Sequence, residues 1–440
     1  MFLQPMKATA FLAAFLALSS LASAADNVPP AGFTALFNGK DLTGFRGGDT
    51  FDPRKLAAMP DDKRAEQIAK WTASMKANWR VENGELVNDG KGNYATTEKD
   101  YGNFELLVDY NMAPKGDSGI YLRNVPQVQI WDHTNEKEFK NGADKGSGAL
   151  WNNSPEAPGK FPLVLADKPA GEWNHVRIVM VGSRVSVWLN DKLTVDHAIL
   201  ENYYDRKTPI LPAAPICLQT HGAQIKWRNI FIREIKPEEA RKILGEHETA
   251  GLQQIWNGKD FDGWAGPIEN YEVKDGAIVC KPGKGGTIYN KNEYADFVAR
   301  VEFKLPPGGN NGLAIRYPGK GDTAYEGMTE CQVLDDNYEK TRGPIDPRQA
   351  HGSAYGMVPA ARGYQFPIGE WNFEEVTVKG STIKVELNGT VILDTDVMKV
   401  DPTTFMANHA HPGRERTSGF FGFAGHSDPV MFRNVGIKKL

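Results

Sequence analysis

The chain has 440 residues, of which 40% are hydrophobic and 24% are charged, a composition typical of a folded globular protein rather than a disordered one. The formal net charge is −4, which gives no sign of a basic surface for nucleic acid or for an anionic membrane. A neutral substrate fits this charge better, and the length predicts two or three domains.

The first residues have the three parts of a secretory signal peptide. Lys7 precedes a long apolar run, and the small residues Ala22, Ser23 and Ala24 form the cleavage site. We therefore predict a signal peptide over residues 1–24, cut after Ala24, and a mature protein that is periplasmic or secreted. No later run approaches the roughly 20 apolar residues that a membrane-spanning helix requires.

The chain repeats its own sequence. LFNGKDLTGF at 36–45 recurs as IWNGKDFDGW at 255–264, and further matches follow in the same order. They pair VENGEL with VKDGAI, GDSGIYLR with GNNGLAIR, VQIWD with CQVLD, VWLND with VELNG and WRNIFI with FRNVGI. This self-similarity indicates a duplicated domain. The Asn-Gly pair of the repeated phrase favours a structural role for Asp41 and Asp260, in a tight bend where each domain begins.

The repeats set the domain boundaries. We predict a first domain at 30–235, a polar linker at 236–250 and a second domain at 251–440. Between the repeated phrase and the VENGEL match, the first half carries 27 more residues than the second. This extra segment, at about 52–78, is rich in Ala, Lys and Glu and predicts a helical insertion.

In both halves apolar and polar residues alternate over short segments, as is typical of antiparallel β-strands. In RVSVWLNDKLTVD apolar residues alternate on both sides of Asn190 and Asp191, and TIKVELNGTVILD has the same pattern around Asn388 and Gly389. This predicts a β-hairpin at the same place in each half. Many such strands, separated by Gly, Asn and Asp, predict an all-β protein with one antiparallel β-sandwich in each half.

Alternation also predicts which residues share the outer face of the strands, since neighbouring side chains point to opposite faces. The strands SGIYLR, PQVQIWD and ICLQTHG of the first half direct their aliphatic residues inward. The residues left on the outer face are Tyr121, Arg123, Gln127, Gln129, Trp131, Cys217, Gln219 and His221. Arginine, glutamine and aromatic side chains suit a hydroxyl-rich ligand and a pyranose ring. We therefore predict a carbohydrate groove, with Trp151 as a further contact.

The second half repeats this outer face with one informative change. The corresponding positions hold Arg316, Gln332 and His426. The position of Gln127 holds Glu330, and only the carboxylate can accept a proton near neutral pH. The two faces are therefore related but not equivalent.

Structural roles are alternatives for several of these residues. Each arginine could instead hold a loop through a carboxylate at a strand end, such as Asp132 or Asp335. The two outer-face histidines could be structural residues at strand ends. Ligand spacing typical of a metal site is missing among the loop histidines His133, His351, His409 and His411.

The chain has three cysteines, Cys217, Cys280 and Cys331. At most one intrachain disulfide can form among them. The fold therefore does not depend on a disulfide framework, and a pair between Cys280 and Cys331 stays an open alternative.

The motifs LFNGKDLTGF, VENGEL, DSGIYLR, VQIWD, LQTHG and WRNIFI, in this order, resemble the 3-keto-disaccharide hydrolase family, long known as a domain of unknown function. The second half is similar through IWNGKDFDGW, NNGLAIR, ECQVLDD, HGSAYG and FRNVGIKKL, although it reads FGFAGHS where the first half has LQTHG. The resemblance covers nearly the whole mature chain. It implies two tandem concanavalin A-like jelly-roll sandwiches, similar in shape to laminarinase-type glycoside hydrolases, in an exported bacterial protein that acts on glycosides oxidised at C3.

The reaction that the resemblance implies begins at C2. A ketone at C3 acidifies the hydrogen on C2, so a base can remove it, the enolate can expel the C1 substituent, and water can then add. The candidates for base or acid are Asp132, His133, His221, Glu330, Asp335 and His426. Arg123 and Arg316, or a bound divalent cation, are candidates to stabilise the enolate. The other substrate-binding candidates are Tyr121, Gln127, Gln129, Trp131, Trp151, Gln219, Gln332, His351 and Tyr355.

Other functions stay open. Jelly-roll sandwiches also serve as lectins, so a non-catalytic sugar-binding protein, or a protein with one catalytic and one binding domain, would have the same fold. A surface interaction module would lack a concave polar pocket. A laminarinase-like retaining hydrolase is excluded, because its Glu-x-Asp-x-Glu string, which sets two carboxylates about 5 to 5.5 Å apart, does not occur in the sequence.

Overall fold

The structure is a computed structural model and describes residues 27–440. The predicted signal peptide and its cleavage site after Ala24 lie outside the described residues. Within the described range the chain forms four antiparallel sheets, two in each half, and few helices. This confirms the predicted all-β fold of two tandem jelly-roll sandwiches. Of the helices in this range, none is both long and apolar enough to cross a membrane.

The first sandwich consists of two sheets packed face to face. Its strands are β1 (Thr34–Ala35), β2 (Phe45–Gly48), β3 (Trp79–Glu82), β4 (Glu85–Asn88), β5 (Tyr94–Thr97), β6 (Phe104–Met112), β7 (Asp117–Leu122), β8 (Val125–Trp131), β9 (Trp173–Val181), β10 (Arg184–Leu189), β11 (Lys192–Ile199), β12 (Cys217–Leu218) and β13 (Ile225–Glu234). The larger sheet has the order β11-β10-β9-β6-β13-β4-β3, with β1 paired to β13, and the smaller has the order β2-β5-β12-β7-β8. Alternate residues of each strand point inward, so Phe104, Ile178 and Trp227 are fully buried in the core between the sheets.

The insertion of the first half is helical, as predicted. It forms helices α1 (Pro53–Ala57) and α2 (Asp61–Asn78). Helix α2 packs on strand β2 and buries Trp71 and Met75. A Cβ added to Gly47 would lie 2.1 Å from the carbonyl carbon of Trp71, so the helix backbone lies directly on the strand and tolerates only glycine there.

A third helix connects the two sandwiches. Helix α3 (Pro237–Glu246) begins with a proline at its first turn, where the missing N–H is not needed. Its residues Ala240 and Leu244 are buried in a small apolar cluster. Both domains contribute to that cluster, through Val179, Val181, Ile235 and Phe373.

The second sandwich has the same topology as the first. Its strands and helices are β14 (Gln253–Gln254), β15 (Trp264–Ala265), β16 (Tyr271–Lys274), β17 (Ala277–Cys280), β18 (Gly285–Tyr294), β19 (Phe297–Lys304), β20 (Asn310–Tyr317), α4 (Thr323–Glu326), β21 (Thr329–Leu334), α5 (Tyr338–Arg342), β22 (Asn372–Lys379), β23 (Thr382–Leu387), β24 (Thr390–Asp396), β25 (Gly419–His426) and β26 (Met431–Lys439). The sheets have the orders β16-β17-β26-β19-β22-β23-β24, with β14 paired to β26, and β15-β18-β25-β20-β21. Every strand position has its counterpart in the first sandwich, so the repeat in sequence is also a repeat in topology.

The repeated NGKD phrase forms the same turn in both domains. The side-chain oxygen of Asn38 accepts hydrogen bonds from two backbone amides, and Asp41 accepts one from the Asn38 side chain at 2.8 Å and one from the Thr43 amide at 2.9 Å. Asn257 and Asp260 repeat this set of bonds. The bonds from Thr43 and Asn38 lower the pKa of Asp41 to about 2, which is the signature of a carboxylate used to fix a turn.

The cysteines form no disulfide. Cys217, Cys280 and Cys331 are all free and buried, so the open alternative of a pair between the last two does not occur. Burial raises the pKa of the Cys217 thiol to about 12, which suppresses the reactive thiolate near neutral pH.

Candidate functional site

In both domains a set of polar side chains lies on the outer face of the smaller sheet. The first polar face consists of Tyr94, Asp117, Tyr121, Gln127, Gln129, Gln219 and His221, on or directly after strands β5, β7, β8 and β12. The second polar face consists of Asn310, Glu330, Gln332, Tyr355 and His426, on β20, β21, β25 and the loop that runs back beside β21. The two faces occupy equivalent places in the repeated fold.

His221 and Asp117 form the central pair of the first polar face. His221 Nδ1 lies 3.1 Å from one carboxylate oxygen of Asp117, and Gln129 Nε2 donates to the other at 2.7 Å. When Nδ1 carries the proton toward Asp117, Nε2 is left as an acceptor on a side chain that is 60% exposed. The hydrogen bond to Asp117 raises the pKa of His221. An imidazole held in this way can act as a general base.

Two glutamines of the first polar face present unused acceptors. Gln127 lies across Gly119, whose missing Cβ would come within 2.0 Å of the Gln127 carbonyl oxygen. Its amide nitrogen donates to Gln129 Oε1 at 2.7 Å, so the carbonyl end points away from that network. The side-chain oxygens of Gln127 and Gln219 are buried and have no hydrogen-bond partner within residues 27–440. Buried acceptors of this kind favour a ligand that brings hydroxyl donors.

Two tyrosine hydroxyls complete the first polar face. Thr50 Oγ1 lies 3.0 Å from the Tyr94 hydroxyl and 2.7 Å from the Tyr121 hydroxyl. Gln219 Nε2 is also near both hydroxyls, at 3.5 and 3.4 Å. Burial raises the pKa of Tyr121, so its hydroxyl stays protonated and can donate to a ligand oxygen.

The second polar face has its own histidine–carboxylate pair. His426 Nε2 lies 3.3 Å from Glu330 Oε1, with the His426 side chain 46% exposed and the Glu330 side chain 4% exposed. The hydrogen bond to Glu330 raises the pKa of His426. Gln332 Nε2 donates to Asn310 Oδ1 at 2.6 Å, and the Gln332 carbonyl oxygen is buried without a partner among the described residues.

The acidic residue that bonds to the histidine lies on a different strand in each polar face. The first face has its acid on β7, at Asp117, and the amide Gln127 on the neighbouring strand β8. The second face has the amide Asn310 on β20 and the acid Glu330 on β21. As a result His221 bonds to its acid through Nδ1 and His426 through Nε2, so the two imidazoles present different ring nitrogens to a ligand.

Aromatic residues border both faces. The rings of Trp131 and Trp151 meet edge to face at 6.0 Å. Trp131 is only 5% exposed and its indole N–H donates to Gly146 O at 2.8 Å, so the expectation that it offers its ring to a ligand is wrong. The partly exposed Trp151 is the better contact. At the equivalent place in the second domain stands Tyr355, whose hydroxyl accepts a hydrogen bond from Gln349 at 3.0 Å.

The structure corrects the expectation that Arg123 and Arg316 lie on the polar faces. Both are 1% exposed and have positive φ angles of 52° and 48°. Each interrupts the strand alternation, Arg123 directly after β7 and Arg316 at an irregularity inside β20. The Arg123 guanidinium donates to Gly102 O at 2.7 and 3.0 Å and to other loop oxygens. The Arg316 guanidinium donates to three backbone carbonyls and to Asp296 at 2.9 Å. Both arginines therefore hold loops, as the structural alternative proposed, but through carbonyl oxygens and, for Arg316, Asp296, rather than through Asp132 or Asp335.

Asp132 and Asp335 are also committed to loops. Asp132 accepts hydrogen bonds from the backbone amides of Lys115 at 2.8 Å and Thr134 at 3.0 Å. Burial raises the pKa of Asp132, but these bonds outweigh that effect and leave the pKa below its usual range. Asp335 accepts in the same way from two backbone amides. A catalytic role for either carboxylate is therefore not supported, and His133, next to Asp132, has no hydrogen bond to the first polar face among the described residues.

His351 lies in the core and not on the second polar face, which corrects the expectation of substrate binding. Its ring is 2% exposed, and Nε2 lies 3.2 Å from Glu374 Oε2. The Cys331 thiol donates to the other oxygen of Glu374 at 3.4 Å. The loop that carries His351 runs beside β21, with Ala354 bridged to Cys331. The turn at Gly352, which has a φ of 75°, breaks the strand alternation between His351 and Tyr355.

Metal ligands do not converge in the described part of the chain. No group of three or more His, Cys, Asp or Glu side chains within residues 27–440 could hold a metal ion. The loop histidines His409 and His411 instead bond to the Tyr325 hydroxyl and to Ala324 O. The described residues therefore offer no set of ligands for the divalent cation that was suggested to stabilise the enolate.

Sequence reasoning missed two residues of the first polar face, Asp117 and Tyr94, and one residue that contacts it, Thr50. Asp117 could have been found, because it precedes Gly119 and Tyr121 by two and four residues and so shares their side of β7. Tyr94 lies on β5, which pairs with β12, and that pairing is not visible in the sequence. Thr50 reaches the face from the loop before the helical insertion, and no local pattern indicates such a contact.

Comparison with known proteins supports the family resemblance that the sequence motifs indicate. The family model described as the 3-keto-alpha-glucoside-1,2-lyase-like domain matches residues 32–233 and again 251–438. A 3-keto-disaccharide hydrolase from Bacteroides thetaiotaomicron is 27% identical over 250 residues, which cover 48% of this chain and 86% of that protein.

Among solved structures, a provisionally named glycosyl hydrolase from Parabacteroides distasonis is 28% identical, covers 44% of this chain and 97% of its own, and superimposes with a TM-score of 0.38. A second such protein from the same organism is 25% identical, covers 43% and 99%, and gives a TM-score of 0.37. The family resemblance predicted from the motifs is confirmed by the family match in both halves. Since that match spans most of the chain, the protein belongs to the family of 3-keto-alpha-glucoside-1,2-lyase-like domains, with one copy in each half.

Proposed function

We propose that the protein is an exported carbohydrate-active enzyme that cleaves 3-keto-glycosides or 3-keto-disaccharides by proton abstraction at C2 and elimination at C1. Family membership and the name of the Bacteroides relative support this reaction class. The observation that carries the proposal is the exposed His221, bonded to the carboxylate of Asp117 on a polar face with unused amide acceptors. The signal-peptide pattern at 1–24 supports export.

In this mechanism His221 Nε2 is the base. It removes the C2 proton, and the electron pair of the C–H bond enters the enolate formed with the C3 ketone. The enolate oxygen needs hydrogen-bond donors, and we assign that role to the hydroxyls of Tyr94 and Tyr121, which lie 3.5 and 3.4 Å from Gln219 Nε2. The enolate then re-forms the C3 ketone, a C1=C2 double bond forms as the C1–O bond breaks, and the imidazolium returns its proton to the leaving oxygen. Addition of water at C1 completes a net hydrolysis.

Sugar binding without catalysis is the second candidate, and it applies best to the second polar face. There the acid is almost fully covered, with the Glu330 side chain 4% exposed, and the pair with His426 is longer, at 3.3 Å. One catalytic and one binding domain would follow if the first face alone turns over substrate.

The test is an assay of the purified protein on a 3-keto-glucoside, with and without a chelator, that follows aglycone release and loss of the ketone absorbance. We expect His221→Ala to reduce turnover by about a hundredfold or more, since general-base catalysis contributes at least that much. His426→Ala is the matched control in the second domain and should leave most of the turnover. Unchanged turnover in His221→Ala would refute the assignment, and loss only in His426→Ala would move the catalytic face to the second domain.

A further inference from the structure

Gln127 and Glu330 occupy equivalent positions with the same local geometry. Each side chain lies across a glycine of the neighbouring strand, with its oxygen 2.0 or 2.1 Å from where a Cβ on Gly119 or Gly312 would be. Both are nearly buried, at 6% and 3% exposure. The duplication therefore places a neutral amide on one face and a carboxylate at the same point of the other.

The buried Glu330 carboxylate accepts fewer hydrogen bonds than a carboxylate removed from water needs. Among the described residues its side chain has a single hydrogen-bond partner, His426, at 3.3 Å. The acid of the first face, Asp117, has two, at 2.7 and 3.1 Å. An ionised carboxylate removed from water is stable only with strong donors or a positive charge nearby. Glu330 therefore has capacity left for a charged donor from a ligand.

A second acceptor points to a ligand on the same face. Gln332 is two residues from Glu330 on strand β21 and so shares its side of the sheet. It is 2% exposed, and its carbonyl oxygen has no partner within residues 27–440. Its amide end is fixed by the bond to Asn310, so the carbonyl oxygen stays available as an acceptor.

The surroundings of this face are negative and aromatic. Besides Glu330, the carboxylates of Asp322 and Asp428 act on His426 and contribute to raising its pKa, and Asp428 is itself paired with Arg342 at 2.9 Å. The rings of Tyr325 and Tyr355 meet edge to face at 6.4 Å. Carboxylates together with aromatic rings are the usual environment for an organic ammonium group.

We propose that the second polar face binds a sugar that carries an ammonium group, such as a 2-amino-2-deoxyglucoside. Glu330 accepts from the ammonium, and Gln332 accepts from a neighbouring hydroxyl. The first polar face, with Gln127 at the equivalent point, binds the uncharged sugar. This inference rests on the proposed function only in requiring that the polar faces bind sugars.

The test is titration calorimetry of the full-length protein, near neutral pH, with methyl glucosaminide and with methyl glucoside. We expect the amino sugar to bind at least about tenfold more tightly. A charge-assisted hydrogen bond is about twice as strong as a neutral one, and a tenfold difference in Kd corresponds to about 1.4 kcal/mol. Glu330→Gln, which copies the first face, should abolish that preference, so that the two sugars bind with similar affinity. Gln127→Glu should create an ammonium preference on the first face, so the test does not depend on one variant folding.

The outcomes separate this inference from the proposed function. Equal affinities for the two sugars in the wild type, or a preference that survives in Glu330→Gln, would overturn the inference while leaving turnover of the 3-keto-glucoside intact. N-acetylation of the amino sugar removes its charge, so tight binding of the acetylated form would also contradict an ammonium site. If neither sugar binds to the protein, the inference fails together with the premise that the faces bind sugars.

Discussion

The residue that matters most to the proposed reaction is His221, because it is exposed and its tautomer is fixed. Asp117 accepts the hydrogen bond from His221 Nδ1 and in turn accepts one from Gln129 Nε2. The carboxylate favours the protonated imidazole and so raises the pKa of His221. Since the base must be neutral to act, activity controlled by His221 should rise with pH through that raised pKa.

Asp117→Asn tests this relation. Without the carboxylate the pKa of His221 should fall toward its ordinary value, so the rising limb of the kcat/KM profile should move to lower pH. The limiting rate should fall by about tenfold or more, since a hydrogen bond to a charged group is lost. The pH dependence of kcat/KM for wild type and variant gives the measurement. Asn310→Asp, at the equivalent place in the second domain, is the matched control and should leave the limb unmoved. A limb that moves to higher pH in Asp117→Asn would contradict the role of Asp117.

Arg123 shows, at the same scale, why part of the site was predicted wrongly. Alternation along SGIYLR assigned its guanidinium to the ligand face. Arg123 and Asn124 instead form a two-residue turn with φ angles of 52° and 57°, and the guanidinium reaches loop carbonyls. Arginine rarely adopts this left-handed conformation, so the sequence carried no turn signal. Gln127, Gln129 and Gln332, which lie inside the strands, were assigned to the correct face because the period of two holds there.

At the scale of secondary-structure elements, the hairpins that the sequence predicted are those with conventional turn residues. Strands β10 and β11 are joined through Asn190 and Asp191, and β23 and β24 through Asn388 and Gly389, all with positive φ angles. Asn, Asp and Gly tolerate that conformation and identify the turn in advance. The pairing of β5 with β12 joins residues more than a hundred positions apart, and nothing local in the sequence specifies it.

The edge strand β11 also makes a titratable contact with the end of helix α3. The rings of His197 and His247 stack at 3.8 Å with an angle of 7° between their planes. Burial, and then the positive charges of His247, Arg184 and Arg300, lower the pKa of His197 to about 3. Protonation of His197 in the folded protein, where its ring stacks on His247, is therefore unfavourable at any pH well above 3.

The stability of the protein should fall on acidification for this reason. The unfolded chain takes up a proton at His197 below pH about 6.5, and the folded protein does so only near pH 3. The contribution of a neutral His197 to the free energy of unfolding is therefore fully present above pH about 6.5 and is lost as the pH falls toward 3. Between pH 7 and pH 5 we expect a loss of about 1 kcal/mol after allowing for partial exposure. Urea unfolding of wild type and His197→Phe at both pH values measures it. The variant should lose less stability than the wild type, and an equal loss in both would assign the effect to other groups.

At the scale of the whole molecule, the two sandwiches are joined at more than the linker. Gly182, in the turn between β9 and β10, and Gly389, in the turn between β23 and β24, lie so close that a Cβ on either would fall within 2.5 Å of backbone atoms of the other domain. Arg184 donates to both carboxylate oxygens of Glu386 at 2.8 and 2.5 Å, and helix α3 shares an apolar cluster with both domains. These contacts fix one domain relative to the other, so the two polar faces keep a constant separation.

Glu386→Ala should uncouple the domains. The Arg184 and Glu386 side chains are 17% and 6% exposed, so removal of the acid leaves a nearly buried guanidinium without its partner, at a cost of about 3 to 5 kcal/mol. Unfolding followed by scanning calorimetry should then separate into two transitions, one for each sandwich, where coupled domains unfold together. The double variant Arg184→Met with Glu386→Met replaces both charges by apolar groups of similar length and should restore much of the coupling. If Glu386→Ala unfolds with the same profile as the wild type, the ion pair does not couple the domains, and the glycine turns and helix α3 must hold them together unaided.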